Sequence, residues 1–202
     1  MSQFRIILAS GSPQRKALLA EAGYEFDVIP PDDSVENGIC SNCGPAELVL
    51  DLSARKAADI ASHLVSDISE PTLIIACDTV AECGGIILGK PRDEDHARRM
   101  LEQLRGTRHR VYSGLCLWLL KPSKKTAPRS RIAITELEME LLSDDAIDEY
   151  LGTGMWRGKA GAFGIQDRPS WLRIVEGSES NVIGLPLELL GEMIGKIGEP
   201  EA

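Results

Sequence analysis

RIILASGSPQRKALLAEAG, residues 5–23, reads as a strand, a tight turn and a helix in direct succession. Arg5 to Ala9 is short and apolar enough for a buried strand. Ser12 suits the helix N-cap, Pro13 the first helical position and Gly23 the stop. A small-residue turn that opens a helix is a ready anion site, because the first-turn N–H groups have no intrahelical partner. The stretch matches neither the GxxxxGK[ST] nor the GxGxxG pattern, so a phosphate held there needs cations from elsewhere in the chain.

The rest of the chain repeats the alternation. Glu25 to Ile29 suits a short strand, and an acidic irregular segment, PPDDSVENGICSNCG, follows. Pro45 opens a long helix, PAELVLDLSARKAADIASHL, with Leu48, Leu52 and Ala58 as part of its apolar stripe. Thr72 to Ala81 is a strand-length apolar run, and Gly84-Gly85 turns the chain back as Ile86-Ile87-Leu88. Asp93 to Arg105 reads as a helix stopped by Gly106, and His109 to Leu120 as a strand. After the basic loop KPSKKTAPRSR come a strand at Ile132 to Met139 and a Ser143-capped helix ending near Gly152. A glycine-rich stretch then leads to a strand at Trp171 to Val175 and a helix from Pro186. Interleaved strands and helices predict an α/β fold with a mixed sheet.

Composition narrows the function. The 202 residues carry a formal charge of −9, with 43% hydrophobic and 4% aromatic side chains. That acidity argues against a dedicated nucleic-acid binder, which needs a basic face. A polyanion would have to be met by a local cluster of Lys and Arg. No stretch is long and apolar enough to span a bilayer, and no signal-peptide pattern opens the chain, so a cytoplasmic location is expected. Five scattered cysteines fit reduced thiols better than a disulfide framework.

Asp78, inside TLIIACDTVA, is the first candidate for chemistry. It is either an exposed or capping residue at the strand's end, or a carboxylate at the strand's C-terminal edge that holds a divalent ion or activates water. The hairpin returns Gly89-Lys90-Pro91 towards the same place, which brings a lysine to it. Arg55 and Lys56 stand at helical spacing from Glu47 and Asp51, a pattern that by periodicity alone is a solvated ion-pair ladder. Arg15 either pairs locally or turns to a phosphate at the helix start. In GKAGAFGIQ, residues 158–166, the glycines suit a mobile surface loop or a backbone held close to a ligand, with Lys159 and Gln166 as polar contacts. GSESNVIGLP repeats the turn-then-helix arrangement. Cys40-Ser41-Asn42-Cys43 is a CxxC without the further ligands that zinc needs or the helix start of a redox site. An ordinary thiol pair is the plainer reading, with metal and redox roles beside it. His63, His96 and His109 are isolated and expected to face solvent.

Taken in order, ASGSPQRKALL, ARKAADIA, ACDTVAECGGIILGKPRDEDHARRML, LRGTRHRVYSG, GKAGAFGIQ and GSESNVIGLP resemble the Maf family, over about residues 6–194. The resemblance implies a mixed, twisted sheet with flanking helices, like that of inosine triphosphatases. One Maf-like domain would span residues 1–202, its two lobes flanking a central substrate cleft. It implies hydrolysis of a nucleoside triphosphate to the monophosphate and pyrophosphate with a divalent cation, Mg²⁺ or Mn²⁺, and often a homodimer. Asp78 matches the catalytic acid and a metal ligand. Ser12, Arg15, Lys56 and Lys90 match the triphosphate-binding positions. A second acid follows the second strand in the family, and either Asp33 or Glu36 aligns with it as a further metal ligand. Thr79 and Gln166 match the branch acting on dTTP and UTP. Gln14 stands where the family pattern SPRR has an arginine associated with substrate choice, and the CxxC segment is also atypical. A nucleotide-binding regulator of cell division and septum formation, without the chemistry, is the competing expectation.

Overall fold

The fold is described from a computed structural model covering residues 4–36, 43–64, 68–122 and 126–197. Seven strands form one mixed sheet. They are β1 (Arg5–Leu8), β2 (Asp27–Val28), β3 (Thr72–Cys83), β4 (Ile86–Leu88), β5 (Arg108–Leu120), β6 (Arg129–Met139) and β7 (Leu172–Glu176). Their order is β2-β1-β3-β5-β6-β7, with β4 alongside β3. The helices are α1 (Pro13–Glu21), α2 (Pro45–Leu64), α3 (Glu94–Leu104), α4 (Asp144–Gly152), α5 (Glu179–Ile183) and α6 (Leu187–Gly195). The predicted α/β class and mixed sheet are both found. The predicted caps Ser12 and Ser143 open α1 and α4, and Asp93, read as the first helical residue, caps α3 instead, each accepting a first-turn N–H.

Strand β3 organises the molecule. Along one edge it pairs with β5 from Thr72 to Glu82 without interruption. On the other edge β1 pairs with Thr72 to Ile75, and β4 pairs with Ala81 to Cys83. Between them, residues 76–80 have no ladder partner on that edge among the described residues. Asp78 lies in that gap. It sits mid-strand rather than at the strand's C-terminal edge, because β3 runs on to Cys83, where the hairpin turn begins.

Successive strand residues face opposite sides of a sheet, and β3 feeds a different cluster on each side. Ile74 and Ala76 pack with Ala57, Ile60 and Ala61 of α2. Leu73, Ile75 and Cys77 point the other way, into a cluster with Leu18 and Leu19 of α1 and Leu189 and Leu190 of α6. Four residues past Cys77 the partners have changed: Ala81 and Cys83 join Met100, Leu101 and Leu104 of α3 and Ile147 and Tyr150 of α4. At the break stands Thr79, bonded at 2.9 Å to Ser113 on β5. The apolar lining of that face is interrupted within the open edge of β3.

Helix α2 lies hard against the opposite face. A Cβ at Gly114, the β5 residue paired with Asp78, would sit 2.1 Å from the Val49 carbonyl oxygen. Only glycine lets the helix backbone come that close. The buried stripe of α2 is Val49, Leu52, Ser53, Lys56, Ala57, Ile60 and Ala61. Ala58 is exposed, contrary to the predicted stripe, because the sheet-facing phase passes through Ala57 instead. Lys56 is therefore an inward residue, and helical side chains lean towards the N-terminus, which carries its ammonium back towards Asp78.

Three further expectations change. The second strand is reduced to Asp27–Val28, and α5 appears where only a turn was read. His109 is 5% exposed rather than solvent-facing, since it shares a sheet face with Val111 and Leu137. Cys43 is disulfide-bonded, a departure from the reduced-thiol expectation, whereas Cys77, Cys83 and Cys116 are buried free thiols. Cys40 lies outside the described residues. No described helix is long and apolar enough to cross a membrane.

Candidate active site

A cleft of about 550 Å³ opens at the unpaired stretch of β3. Ser12, Gln14, Arg15, Glu36, Lys56, Asp78, Thr79, Lys90, Lys159 and Gln166 all line it. Residues far apart in sequence thus meet in one place. Five of the chain's 22 basic residues are among the lining: Arg15, Lys56, Lys90, Arg157 and Lys159. Asp32, Asp33, Glu36 and Asp78 line it too, so on a protein of charge −9 the cleft is locally close to neutral, a balance that suits an anion bound together with a cation.

Lys56 is the centre of the polar floor. Its ammonium donates to Asp78 Oδ1 at 2.5 Å and pairs with Glu36 Oε1 at 2.7 Å. The Lys56 and Asp78 side chains are 7% and 11% exposed, while that of Glu36 is 49% exposed. Burial of both partners makes the Lys56–Asp78 pair interdependent: either charge alone would be strongly disfavoured there. Of the solvated ladder expected on α2, the Asp51–Arg55 pair is found among the described residues, at 2.8 Å. The bond from Lys56 holds the Glu36 carboxyl below the usual carboxylate range, with the charges of Lys56, Lys90 and Arg15 adding to the effect. Asp33 also lines the cleft, but it is Glu36 that reaches Lys56.

The other wall is built from the helix-opening turn. Ser12 Oγ accepts from Arg15 N–H and donates to Gln14 Oε1 at 3.0 Å, folding Gln14 back over the turn. Arg15 crosses the cleft: its Nε donates to the Gly184 carbonyl at 2.8 Å and its Nη2 to Thr79 Oγ1 at 3.2 Å. Asp78 and Thr79, though adjacent, serve opposite walls, as strand alternation requires. The unpaired edge of β3 makes both accessible to one ligand.

Lys90 follows the hairpin strand as expected and is exposed on the cleft rim. The glycine-rich stretch 158–166 forms a wall of the cleft. Gln166 is exposed there, but the Lys159 ammonium is paired with the buried Asp167 carboxylate. Sequence reasoning missed Ser113 and Gly184, which fix Thr79 and Arg15, and Asp167. Nothing local marks the first two, since only strand register and the placement of α5 bring them in. Asp167 directly follows the GIQ triplet, so its place beside the loop was visible, but not its burial.

A divalent cation can be tested against these donors. Among the described residues no cluster of three or more His, Cys, Asp or Glu side chains converges. Two carboxylates, Asp78 and Glu36, do converge on one ammonium. Mg²⁺ commonly takes one or two carboxylates, with substrate phosphates and water completing its shell, so the pair fits an ion bound together with a phosphate ligand.

Comparison with known proteins agrees in family. A family model described as Maf-like protein matches residues 5–197. A dTTP/UTP pyrophosphatase of Rhodopirellula baltica is 47% identical over 190 residues, covering 94% of this chain and 80% of its own. One from Agathobacter rectalis is 37% identical over 207 residues, covering 98% of both chains. Another, from Pelotomaculum thermopropionicum, is 37% identical over 196 residues, covering 96% of both.

Proposed function

We propose, on the premise that this chain belongs to the Maf-like protein family, that it is a nucleoside triphosphate pyrophosphatase. In this reading it hydrolyses dTTP and UTP to the monophosphate and pyrophosphate. The observation that carries it is the buried Lys56 held between Asp78 and Glu36 at the open edge of β3, ringed by further cations.

The residues divide the work by position. The α1 N-terminus, capped by Ser12, offers its first-turn N–H groups to a phosphate. Arg15, Lys56 and Lys90 neutralise the triphosphate from different sides. Water attacks the α-phosphorus, the bond to the bridging oxygen breaks, and pyrophosphate leaves. Asp78 takes the proton from that water. Lys56 holds Oδ1 of Asp78, which leaves Oδ2 as the oxygen to accept it. A carboxylate is a weak base at neutral pH. Mg²⁺ or Mn²⁺ held by Asp78 and Glu36 would acidify the attacking water and draw charge from the phosphates. Thr79 and Gln166 face the part of the cleft left for sugar and base. Gln14, neutral and shorter than the arginine it replaces, gives a broader choice of base. Gln14→Arg should then shift the kcat/KM ratios between nucleotides. The same reading carries a cytoplasmic location and a homodimer, the latter checked by light scattering.

The test is a panel of nucleoside triphosphates incubated with Mg²⁺ while pyrophosphate is followed, with Asp78→Asn as control. Release from dTTP and UTP that is lost in the variant is the expected result. No release from any nucleotide by folded protein would refute the reading.

A further inference from the structure

The Asp167 side chain has no part in the chemistry above, yet it is buried and reached by two other side chains. Its side chain is 8% exposed. Oδ2 accepts from the Tyr150 hydroxyl on α4 at 2.7 Å and from the Lys159 ammonium. Tyr150 is itself fully buried and packs against Phe163 and Trp171, with ring centroids 5.2 and 5.5 Å away. One carboxylate thus ties both ends of the glycine-rich loop 158–166 to a rigid helix.

That loop needs to be held. Ala162 has φ 61°, a left-handed conformation in which a side chain is strained. Such backbone persists only where its surroundings fix it. The loop also reaches two cleft residues. Gly161 N–H donates to the Gly89 carbonyl at 3.1 Å, next to Lys90. At Gly164 a Cβ would stand 3.0 Å from Gln166 Oε1 and 3.2 Å from the Lys159 methylenes. The Gln166 amide and the Lys159 stem close over that glycine.

We propose that Asp167 is a positioning residue: by holding Lys159 and Tyr150 it locks the glycine-rich loop so that Gln166 and Lys90 face the nucleotide. Lys159 then acts as one half of a clamp and not as a phosphate ligand. This rests on the pyrophosphatase reading for its kinetic arm and on nothing but the fold for its second arm.

The kinetic arm compares Asp167→Asn, Lys159→Met and the double variant on dTTP. Loss of a charge-assisted bond should raise KM about tenfold while leaving kcat within about threefold. The double variant should be no worse than the worse single one, as expected when two residues act as a unit. If Lys159 bound phosphate, Asp167→Asn would release it and KM would fall; an unchanged or lowered KM overturns the proposal. Tyr150→Phe removes one hydroxyl only and serves where Asp167→Asn folds poorly, with a KM rise of about threefold expected. The second arm is hydrogen exchange on nucleotide-free protein. Amides 160–166 should exchange faster in Asp167→Asn and Tyr150→Phe, with α2 and β3 unchanged. Unaltered protection there overturns the clamp. Absence of turnover in the unmodified protein would instead overturn the pyrophosphatase reading, with the exchange arm still deciding the clamp.

Discussion

Replacing Lys56 by methionine separates stability from catalysis more sharply than any other change at the site. Methionine keeps most of the apolar stem and removes only the ammonium. Glu36, about half exposed, can rehydrate, whereas Asp78 at 11% exposure cannot do so fully. Breaking a buried pair by removing one partner costs about 3–5 kcal/mol. Because Asp78 borders an open cleft, the lower end, about 3 kcal/mol, is the appropriate figure. With a urea dependence of about 2 kcal/mol per molar, the unfolding midpoint should fall by about 1.5 M. Adding Asp78→Asn removes the orphaned charge and should restore most of that loss while turnover stays absent. Urea unfolding followed by circular dichroism, beside pyrophosphate release, measures both. A Lys56→Met variant with the parent midpoint, or a double variant no more stable than the single one, would refute the argument that the pair is coupled through burial.

Other outcomes follow from the same geometry. Lys90→Ala, at an exposed rim position, should leave the melting temperature unchanged and weaken triphosphates more than monophosphates, read by inhibition constants. Gly114→Ala should cost more than about 3 kcal/mol or prevent folding, since the added Cβ has no room beside the Val49 carbonyl; expression yield and thermal melts decide it. Burial pushes the His109 imidazole below its ordinary value. The unfolded chain therefore takes up a proton below about pH 6.5 that the folded chain resists, and stability falls as pH drops through that window. Urea midpoints at pH 7.5 and 5.5 should show the fall, and His109→Leu should lessen it. Glu36, held low by Lys56, adds stability present above its ordinary value of 4.5 and lost as pH falls through its lowered one.

Most of the elements could be read from local chemistry. Pro45 at the start of α2, Ser12, Asp93 and Ser143 as caps, and Gly84-Gly85 between β3 and β4 each fix a boundary through a few neighbouring atoms. What could not be read depended on distant partners. Asp78 was expected at a strand end because an acid in an apolar run suggests one; that β1 stops at Leu8 and leaves β3 unpaired there is a fact of register. Lys56 lies on the 49/52/53/56/57/60/61 stripe, so its inward aim was present in the periodicity. The i,i+4 charges around it pointed outward instead, and only the carboxylates of Asp78 and Glu36 explain why a lysine can occupy a buried phase. His109 gives no local sign of burial, and α5, with five residues, is too short to show a period.

The placement of Asp78 and Thr79 as neighbours on opposite walls has a consequence for how this chain can diverge. A substitution between Thr72 and Cys77 alters packing but leaves both side chains aimed as they are. Inserting or deleting a single residue in that run rotates the strand by one step relative to β1. Asp78 would then turn towards Arg15, and Thr79 would meet the Lys56 ammonium. Alignment gaps should therefore be absent from this segment even in relatives whose apolar residues there have all been exchanged. Its length should tolerate less change than its letters.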